Sequence, residues 1–559
     1  LKAHEREGAI GDGRRPETIN ATSYALHDQE NTLNTLDKFK CRMVLLGSPK
    51  YLRRGRDYWA TFSATPVQVT SRIMQFLVVQ LNMKRDAADV VCAYLNGTLK
   101  REERQGVKLD KELRTYDPKT REELQPITLN ALYGHPASGR RYAVCRDALI
   151  LGHEFNFSTP KEKWSSRRAR YDPALFVMTH FMYPKHPNFD KLKRAGVIGM
   201  LQREDQLRGQ DEVPSDEGMT DKIVIESSDD VIISVALLSA YVDDLDLVYM
   251  LDDDKDYIWG VLDKRFGLKR GNVEHMLGLT REISDDGATV TIGMSGYIES
   301  MMEKFKGKVG TKKRTTPVPP GLYLSNENAP TFTEKEKKRR QTELLEALGM
   351  VMWCGRMVHL ECSYGINTVC RMVANPTDAA IEAVYHLIGY LYGVKDQGIT
   401  FNRVAGTPKL VCFYDASNKG DPADGDKAQA GFIVFLGTGP VDWRSFRLTH
   451  VGLSAQHNEY MSLAHASQAV LYVRYLLEDM GLGHWVSEPT VILGDNDAAT
   501  TLAREDRLTI QNRFYSRLCH FAKECYEKGL TDPRRVGTDD NVSDGMTKAL
   551  GRQVNPTIR

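Results

Sequence analysis

Apolar residues are distributed along the chain in distinct patterns. They follow strand-like spacing over residues 39–67, become dense over 73–97, and form a long run over 231–242 that only two serines interrupt. Such a run predicts a buried strand, and it is too short for a helix that crosses a bilayer, which needs about 20 residues. Residues 344–391 instead repeat with helical spacing.

Changes in composition predict the division of the chain into units. The polar residues 1–35 predict a loose, disordered leader. Residues 185–230 are basic in their first half and acidic in their second, with little periodicity, which predicts a charged surface insertion. The expected units are a leader at 1–35, a unit at 36–300 that contains the insertion, a unit at 301–407, a unit at 408–550 and a tail at 551–559.

Composition and charge exclude several classes of protein. Hydrophobic residues make up 41% and charged residues 27% of the 559 residues, which is typical of a folded globular chain. With 75 Lys and Arg against 74 Asp and Glu, the net charge of +1 does not itself indicate nucleic-acid binding, so such a role needs local basic patches. The first residues show no signal-peptide pattern, and the nine cysteines include no Cys-x-x-Cys pair. We therefore expect an intracellular, reducing compartment, cytoplasmic or nuclear, and no membrane partner.

The first acidic cluster comprises Asp89, Asp243 and Asp244. Asp243 and Asp244 directly follow the apolar run, and Asp89 lies within the dense apolar stretch. Adjacent carboxylates after a buried strand are costly through desolvation and mutual repulsion unless a cation joins them. A tight hairpin turn would present both near one point, and a third carboxylate at another strand end would complete an oxygen-rich pocket suited to Mg²⁺. Two such ions, about 3.5–4 Å apart, would activate a 3′-hydroxyl and steady a leaving pyrophosphate.

The second acidic cluster comprises Asp415, Glu459, Asp495 and Asp544, spread over about 130 residues near the end of the chain. Asp415 and Asp495 follow apolar, strand-like segments, and each acid taken alone has an ordinary interpretation as a helix cap or a surface residue. Together, four converging carboxylates would bind two Mg²⁺ ions and direct water at a phosphodiester.

The motifs of the first cluster resemble the reverse transcriptase of copia-type LTR retrotransposons. Tyr241-Val242-Asp243-Asp244 is similar to the family's Tyr-Val-Asp-Asp box, and residues 89–97 are similar to its first palm motif. Tyr94 stands at the position of the aromatic steric gate, which excludes a ribose 2′-OH. The resemblance implies that the metal ligands are Asp89, Asp243 and Asp244, and that the nucleotide site includes Tyr94, Tyr241 and Val242.

Shorter segments extend this resemblance. Residues 40–44 and 55–63 resemble the fingers, where Lys40 or Arg42 would bind the incoming triphosphate. Residues 130–134 resemble the box that packs against the nascent base pair, and 276–279 resemble the hairpin that grips the primer. The chain departs from the family after residue 134, where Ala137 replaces a glutamine and Tyr142 a tryptophan.

The segments of the second cluster resemble the RNase H domain of the same family. The corresponding boxes are Asn458-Glu459-Tyr460, Gly494-Asp495-Asn496 and residues 543–548, so the resemblance implies that Asp415, Glu459, Asp495 and Asp544 are metal ligands. A Lys-His-Ile-Asp segment of the family is replaced at 513–516, although His520 lies nearby.

The resemblance covers about residues 36–550 and implies an α/β (α+β) protein with a right-hand polymerase fold of fingers, palm and thumb, a connection region, and an RNase H-like mixed-sheet domain. It implies an RNA-directed DNA polymerase with RNase H activity that uses Mg²⁺, with Mn²⁺ as a possible substitute. Its partners would be an RNA template, a DNA primer, an RNA–DNA hybrid and dNTPs. The candidate basic patches for nucleic acid are Arg53, Arg54, Arg56, Arg167, Arg168, Arg170 and the runs at 312–314 and 335–340.

Three other interpretations remain open from the sequence. The chain could be a decayed element that binds nucleic acid without catalysis, which the replacements at Ala137 and 513–516 favour but retention of all seven acids opposes. It could be a host-adopted binding protein, or a polymerase that copies DNA templates only.

Overall fold

The computed structural model describes residues 10–12, 19–30, 36–108, 114–121, 123–124, 126–194, 231–271, 275–310, 314–319, 321–322, 324–325, 331–417, 427–505 and 517–549. Up to residue 43 only the backbone is described. Among the helices of these residues, none is both long and apolar enough to cross a membrane.

The first part of the chain contains a small five-stranded sheet and one long helix. Its elements are β1 (Ile10–Asp12), β2 (Ile19–Glu30), β3 (Leu36–Leu45), α1 (Gln68–Gln80), β4 (Lys84–Val90), β5 (Gly106–Lys108), β6 (Thr115–Tyr116), β7 (Glu123–Leu124) and β8 (Pro126–Thr128). Five strands pair in the order β1-β8-β5-β2-β3, and β6 pairs with β7. Of the leader expected over 1–35, residues 10–12 and 19–30 form β1 and β2, and β2 is paired with β3 along most of its length, while the other residues of this segment lie outside the described residues.

A seven-stranded antiparallel sheet forms the centre of the molecule. The elements that follow are α2 (Ser138–Ile150), β9 (Phe157–Ser158), β10 (Glu162–Arg168), β11 (Leu175–Met182), α3 (Phe189–Arg194), β12 (Ile232–Tyr241), β13 (Asp244–Tyr249), α4 (Asp252–Phe266) and β14 (Leu268–Arg270). The strand order is β14-β4-β13-β12-β11-β10-β9. The apolar run at 231–242 is β12 in the middle of this sheet, so that prediction is confirmed.

Both faces of this sheet are covered, which explains why β12 is apolar on both sides. Residues of α2 and α4, including Tyr142 and Trp259, pack on one face with Leu238 and Leu247. Ile73 of α1 belongs to the core on the other face. Trp259 is fully buried, and truncating such a side chain to alanine typically costs about 3–5 kcal/mol.

The middle of the chain is mainly helical. It contains β15 (His275–Met276), β16 (Leu279–Ile283), β17 (Thr289–Gly293), α5 (Ser295–Val309), α6 (Glu334–Met357), α7 (Ser363–Cys370), α8 (Asp378–Gly393) and β18 (Ile399–Asn402). The helical spacing at 344–391 is confirmed by α6 to α8. Thr333 and Thr377 cap α6 and α8, because each side chain accepts a backbone N–H from the first turn.

The last part of the chain forms a mixed sheet flanked by helices. It contains β19 (Leu410–Ala416), β20 (Gln429–Leu436), β21 (Gly439–Arg447), α9 (Ala455–Asp479), β22 (Thr490–Gly494), α10 (Asp497–Arg504), α11 (Arg517–Glu527) and β23 (Thr531–Arg535). The strand order is β21-β20-β19-β22-β23, with β19, β22 and β23 parallel. The α/β class expected from the sequence is therefore confirmed. Of the charged insertion, α3 lies at its start, and residues 195–230 lie outside the described residues.

Candidate active sites

The turn between β12 and β13 presents the acids of the first cluster. It consists of Val242 and Asp243, and Val242 has a φ of +57°. A β-branched residue rarely adopts this left-handed conformation, so the surroundings must hold it there. Two contacts do so: the Val90 N–H donates to the Asp243 carbonyl at 2.9 Å, and Arg146 Nη1 lies 3.4 Å from the Val242 carbonyl.

The strand register brings the third acid to the same place. Asp244 at the start of β13 lies opposite Asp89 near the end of β4, and facing residues of antiparallel strands have Cα atoms about 4.5–5.5 Å apart. Partial burial, followed by the charges of Asp243 and Asp89, raises the pKa of Asp244 to about 6. The three acids therefore repel one another in a small volume, which a bound cation would relieve.

Tyr94 lies beside these acids. It follows β4 in a short 3-10 helix, Ala93–Asn96, that begins after Cys92 turns the chain with a φ of +52°. Burial and then the charge of Asp243 raise the pKa of Tyr94. Its ring lies 5.2 Å from the ring of Tyr133. The expected gate residue, the nascent-base-pair box and the first cluster are thus adjacent, and Tyr241 and Val242 are half-buried at the same turn.

The segment around Tyr133 is joined to the end of β3. The Leu45 N–H donates to the Tyr133 carbonyl at 2.7 Å. Gly134 has a φ of +87°, and a Cβ there would lie 2.0 Å from the Leu45 carbonyl oxygen, so only glycine fits. Lys40 and Arg42 precede this contact on β3, but their side chains lie outside the described residues.

One residue near the first cluster, Arg146, was not found from the sequence. Arg146 is almost fully buried behind the turn, where it also donates to Asp147 at 2.9 Å. An arginine within a helix gives no motif that would identify it. The hairpin expected at 276–279 is present, with Leu277 and Gly278 both at positive φ in its turn and Met276 paired with Leu279.

The second cluster is built by parallel strand pairing. Phe413 of β19 pairs with Leu493 of β22, so Asp415 and Asp495, each two residues further on, lie at the same edge of the sheet. Glu459 comes from the second turn of α9, which packs on β19. One carboxylate oxygen from each of these three acids lies within 4.8 Å of the others.

Burial dominates the electrostatics of the second cluster. Burial and then the charge of Asp544 raise the pKa of Asp415 to about 6, against a hydrogen bond from the Thr547 hydroxyl. Burial and then Asp415 raise the pKa of Glu459 to about 9, although the Ala416 N–H donates to Glu459 Oε1 at 3.2 Å. These carboxyls are therefore held where their ionised forms need a cation.

The donor atoms of the second cluster fit Mg²⁺. Glu459 Oε2 and Asp544 Oδ1 are buried, and neither has a hydrogen-bond partner among the described residues. Carboxylate oxygens are the ligands that Mg²⁺ prefers. The other oxygen of Asp544 lies 2.9 Å from Lys548 Nζ. Thr547 and Lys548 were not assigned roles from the sequence, although both belong to the box at 543–548.

The first cluster is more open than the second. Among the described residues, three metal-ligand side chains converge within 4.8 Å only at Asp415–Glu459–Asp495 and at Glu162–His180–His186. Asp89, Asp243 and Asp244 are neighbours without forming such a compact set.

The basic patches differ in their availability to nucleic acid. Arg53 and Arg54 are exposed. Arg168 instead pairs with Asp147 at 2.6 Å, and Arg340 is buried and donates to the Pro376 carbonyl at 2.9 Å. Residues 312, 313 and 513–516 lie outside the described residues, and His520 is exposed on α11.

Known proteins resemble this chain at low identity. The Pol polyprotein from transposon TNT 1-94 of Nicotiana tabacum is 24% identical over 523 residues, which is 92% of this chain and 33% of that protein. The Pol polyprotein from transposon RE2 of Arabidopsis thaliana is 31% identical over 192 residues, covering 34% of this chain and 13% of that protein. The chain thus spans about a third or less of these relatives, and no family model matches it.

A solved structure of the foamy viral protease-reverse transcriptase in complex with double-stranded DNA covers 96% of this chain and 68% of its own, with 10% identity and a TM-score of 0.46. Over most of its length, the chain is similar in sequence to a region of the Pol polyproteins of copia-type retrotransposons, which confirms the family resemblance of its motifs.

Proposed function

We propose that this chain is an RNA-directed DNA polymerase with RNase H activity, a part of a retrotransposon Pol polyprotein. The observation that carries the proposal is that one chain positions two separate acidic clusters at strand ends, each with carboxyl pKa values raised by burial and mutual repulsion. Clusters of this kind are suited to holding divalent cations for phosphoryl transfer.

In the first cluster, Asp89, Asp243 and Asp244 would hold Mg²⁺ or Mn²⁺. The bound ions supply activation of the primer 3′-hydroxyl and neutralisation of the pyrophosphate. Tyr94 would fill the space that a ribose 2′-OH needs, and the position of its ring against Tyr133 and near Asp243 supports this role. The Val242–Asp243 turn fixes the positions of the two hairpin acids.

Lys40 and Arg42 on β3 would bind the triphosphate by charge-assisted hydrogen bonds. This role agrees with the contact between Leu45 and Tyr133, which joins the end of β3 to the nucleotide side of the first cluster.

In the second cluster, Asp415, Glu459, Asp495 and Asp544 would hold the ions that direct water at the RNA strand of a hybrid. Thr547 orients Asp415 through its hydroxyl, and Lys548 partly neutralises Asp544. Glu459 retains a proton near neutral pH until a cation offsets its burial, because its pKa lies near 9.

The units at 36–300, 301–407 and 408–550 would then be fingers and palm, thumb and connection, and RNase H domain. The partners would be an RNA template, a DNA primer, their hybrid and dNTPs, inside the cell. Exposed Arg53 and Arg54 are suited to contact phosphates, in a salt-dependent way.

Primer extension tests the polymerase. A DNA primer on an RNA template should be extended in Mg²⁺, and Asp243→Asn/Asp244→Asn should abolish extension. Asp285→Asn is the matched control, because Asp285 is an exposed acid outside both clusters. Absence of extension by folded wild-type protein would contradict the polymerase and favour a decayed or host-adopted binding protein. Extension on DNA templates alone would restrict the activity to DNA copying.

Hybrid cleavage tests the second cluster separately. RNA in an RNA–DNA hybrid should be cut by the wild type and by the Asp243→Asn/Asp244→Asn variant. Asp415→Asn should retain primer extension and lose cleavage, since Asp415 belongs to the other cluster.

A further inference from the structure

A third cluster of ligating side chains lies on the seven-stranded sheet, on strands other than those of the first cluster. Glu162 begins β10, His180 lies on the neighbouring strand β11, and His186 lies in the turn before α3. Glu162 Oε2 is 3.0 Å from His180 Nε2 and 3.7 Å from His186 Nε2. One ligand atom from each residue lies within 4.8 Å of the others.

The contacts of His180 determine which ring nitrogen carries the proton and which has a free lone pair. Its Nδ1 lies 2.7 Å from Asp254 Oδ1, and Asp254 is buried. A carboxylate only accepts hydrogen bonds, so the proton of a neutral imidazole resides on Nδ1, and Nε2 is left as an acceptor. A buried carboxylate on the distal nitrogen is the usual support of a metal-binding histidine.

A neutral His180 would therefore place two hydrogen-bond acceptors against each other. Its Nε2 lone pair would face Glu162 Oε2, another acceptor, at 3.0 Å. Either a second proton or a metal ion must lie between them. The position of His186 favours the metal ion, because a 3.7 Å separation is too long for a hydrogen bond and a second imidazole is directed at the same oxygen.

The distances and donor types agree with zinc. Ligands about 2.0–2.1 Å from a tetrahedral ion lie about 3.3 Å from one another. The separations of Glu162 Oε2 from the two imidazole nitrogens, 3.0 and 3.7 Å, bracket that value. Two imidazoles and one carboxylate suit Zn²⁺ rather than Mg²⁺, which prefers oxygen ligands. Trp164 stacks on His180 with ring centroids 4.5 Å apart, which restrains the ring.

His186 must adjust to bind. Its Nδ1 lies 3.3 Å from the Asn188 N–H, a long contact that places a lone pair on Nδ1. A ligating Nε2 would move the proton to Nδ1 and so displace this contact.

We propose that Glu162, His180 and His186 form a zinc site, with Asp254 supporting His180 and a fourth position open to water. The bound ion would fasten the turn that carries His186 to β10 and β11. This site is independent of the polymerase and nuclease proposed above, and its donor set differs from that of both acidic clusters.

Zinc titration of the full, tag-free chain tests the proposal. After removal of metals with a chelator, calorimetry in excess Mg²⁺ should show one Zn²⁺ bound per chain with high affinity, while Mg²⁺ occupies the carboxylate clusters. Co²⁺ in place of Zn²⁺ should give the visible absorption of a tetrahedral nitrogen–oxygen site. X-ray absorption at the zinc edge should show imidazole ligands.

Substitutions locate the site. His186→Ala and Glu162→Gln should each weaken zinc binding at least about tenfold, and Asp254→Asn about 10–100-fold as a supporting residue. His153→Ala is the matched control and should bind as the wild type does. His153 lies 3.5 Å from Glu154 but is exposed and belongs to neither compact set. Thermal melts in chelator keep loss of folding distinct from loss of binding.

Two results would overturn the zinc site. One is failure of the folded wild type to bind Zn²⁺ in excess Mg²⁺. The other is binding that His186→Ala and Glu162→Gln leave unchanged. His180 would then be an imidazolium between Glu162 and Asp254, with both ring nitrogens protonated in ¹⁵N NMR spectra.

Discussion

Individual carboxyls in both acidic clusters are held in surroundings that disfavour their charge. The pKa values of Asp244 and Asp415 lie near 6, and that of Glu459 lies near 9. In each case burial raises the pKa most, and the charges of neighbouring acids raise it further. The same surroundings that make these residues destabilising in the metal-free protein would make them strong ligands for the divalent cations of the proposed function. Under that proposal, activity and stability are opposed at single residues.

The stability of the metal-free protein should consequently depend on pH. A carboxyl with a raised pKa binds a proton in the folded state that it has lost in the unfolded state, so stability falls as pH rises through that interval. For Glu459 the interval extends from the ordinary carboxyl range to about 9. Chemical denaturation in chelator should show the fall, roughly a few kcal/mol in total, and Glu459→Gln should remove most of it. A flat profile in the wild type would contradict the burial of this charge.

Tyr94 should determine sugar selection. Because its ring lies beside the first cluster and against Tyr133, Tyr94→Ala opens the space for a 2′-OH. Single-nucleotide extension should show ribonucleotide discrimination falling at least about tenfold, or 1.4 kcal/mol. Tyr94→Phe is the matched control, since it keeps the ring and should keep discrimination. Equal discrimination by the alanine variant and the wild type would remove Tyr94 from this role.

At the scale of elements, the β12–β13 hairpin contains both the strand predicted from the apolar run at 231–242 and two acids of the first cluster, Asp243 and Asp244. Its first strand was predictable from the apolar run, because a strand covered on both faces has to be apolar on both. The pairing of β13 with β4, which places Asp244 opposite Asp89, was not predictable, since register depends on contacts between segments more than 150 residues apart. The strand β2, which pairs with β3, was likewise not predictable, because its polar composition gives no strand pattern.

The hairpin turn offers a test of stored strain. Val242→Gly should relieve the unfavourable φ of +57°, at the expense of greater backbone freedom in the unfolded chain. We expect the free energy of unfolding to change by no more than about 1 kcal/mol in either direction, whereas primer extension falls because the turn no longer fixes Asp243. Denaturation and extension assays on the same preparation separate the two effects. A large loss of stability would show that packing of the Val242 side chain stabilises the protein by more than the strained φ costs.

At the scale of the whole molecule, distant segments are joined through buried charges that no local pattern reveals. Arg72 of α1 is buried, and its guanidinium lies 3.9 Å from the ring of Trp443 on β21. It donates to the carbonyls of Val441 and Arg356, at 2.7 and 2.8 Å. The two acidic clusters could be found from motifs because their residues lie in recognisable boxes. Arg72 and the zinc-site residues could not, since each is a single side chain whose partner lies elsewhere in the chain.

Arg72 should therefore couple the central sheet to the C-terminal unit. Asp442, next to Trp443, is half-buried, and its loss of hydration raises its pKa to about 6, while the charge of Arg72 opposes that rise. Arg72→Met leaves Asp442 without this cation and several carbonyls without donors, so we expect a loss of about 3–5 kcal/mol in the free energy of unfolding. Arg53→Met, at an exposed position, is the control and should change stability by less than about 0.5 kcal/mol.

If the two units are joined in this way, chemical denaturation of the Arg72→Met variant should show the C-terminal unit unfolding at lower denaturant than the central sheet. A variant that still unfolds in one transition, with wild-type stability, would mean that the apolar contacts of α1 suffice to hold the units together.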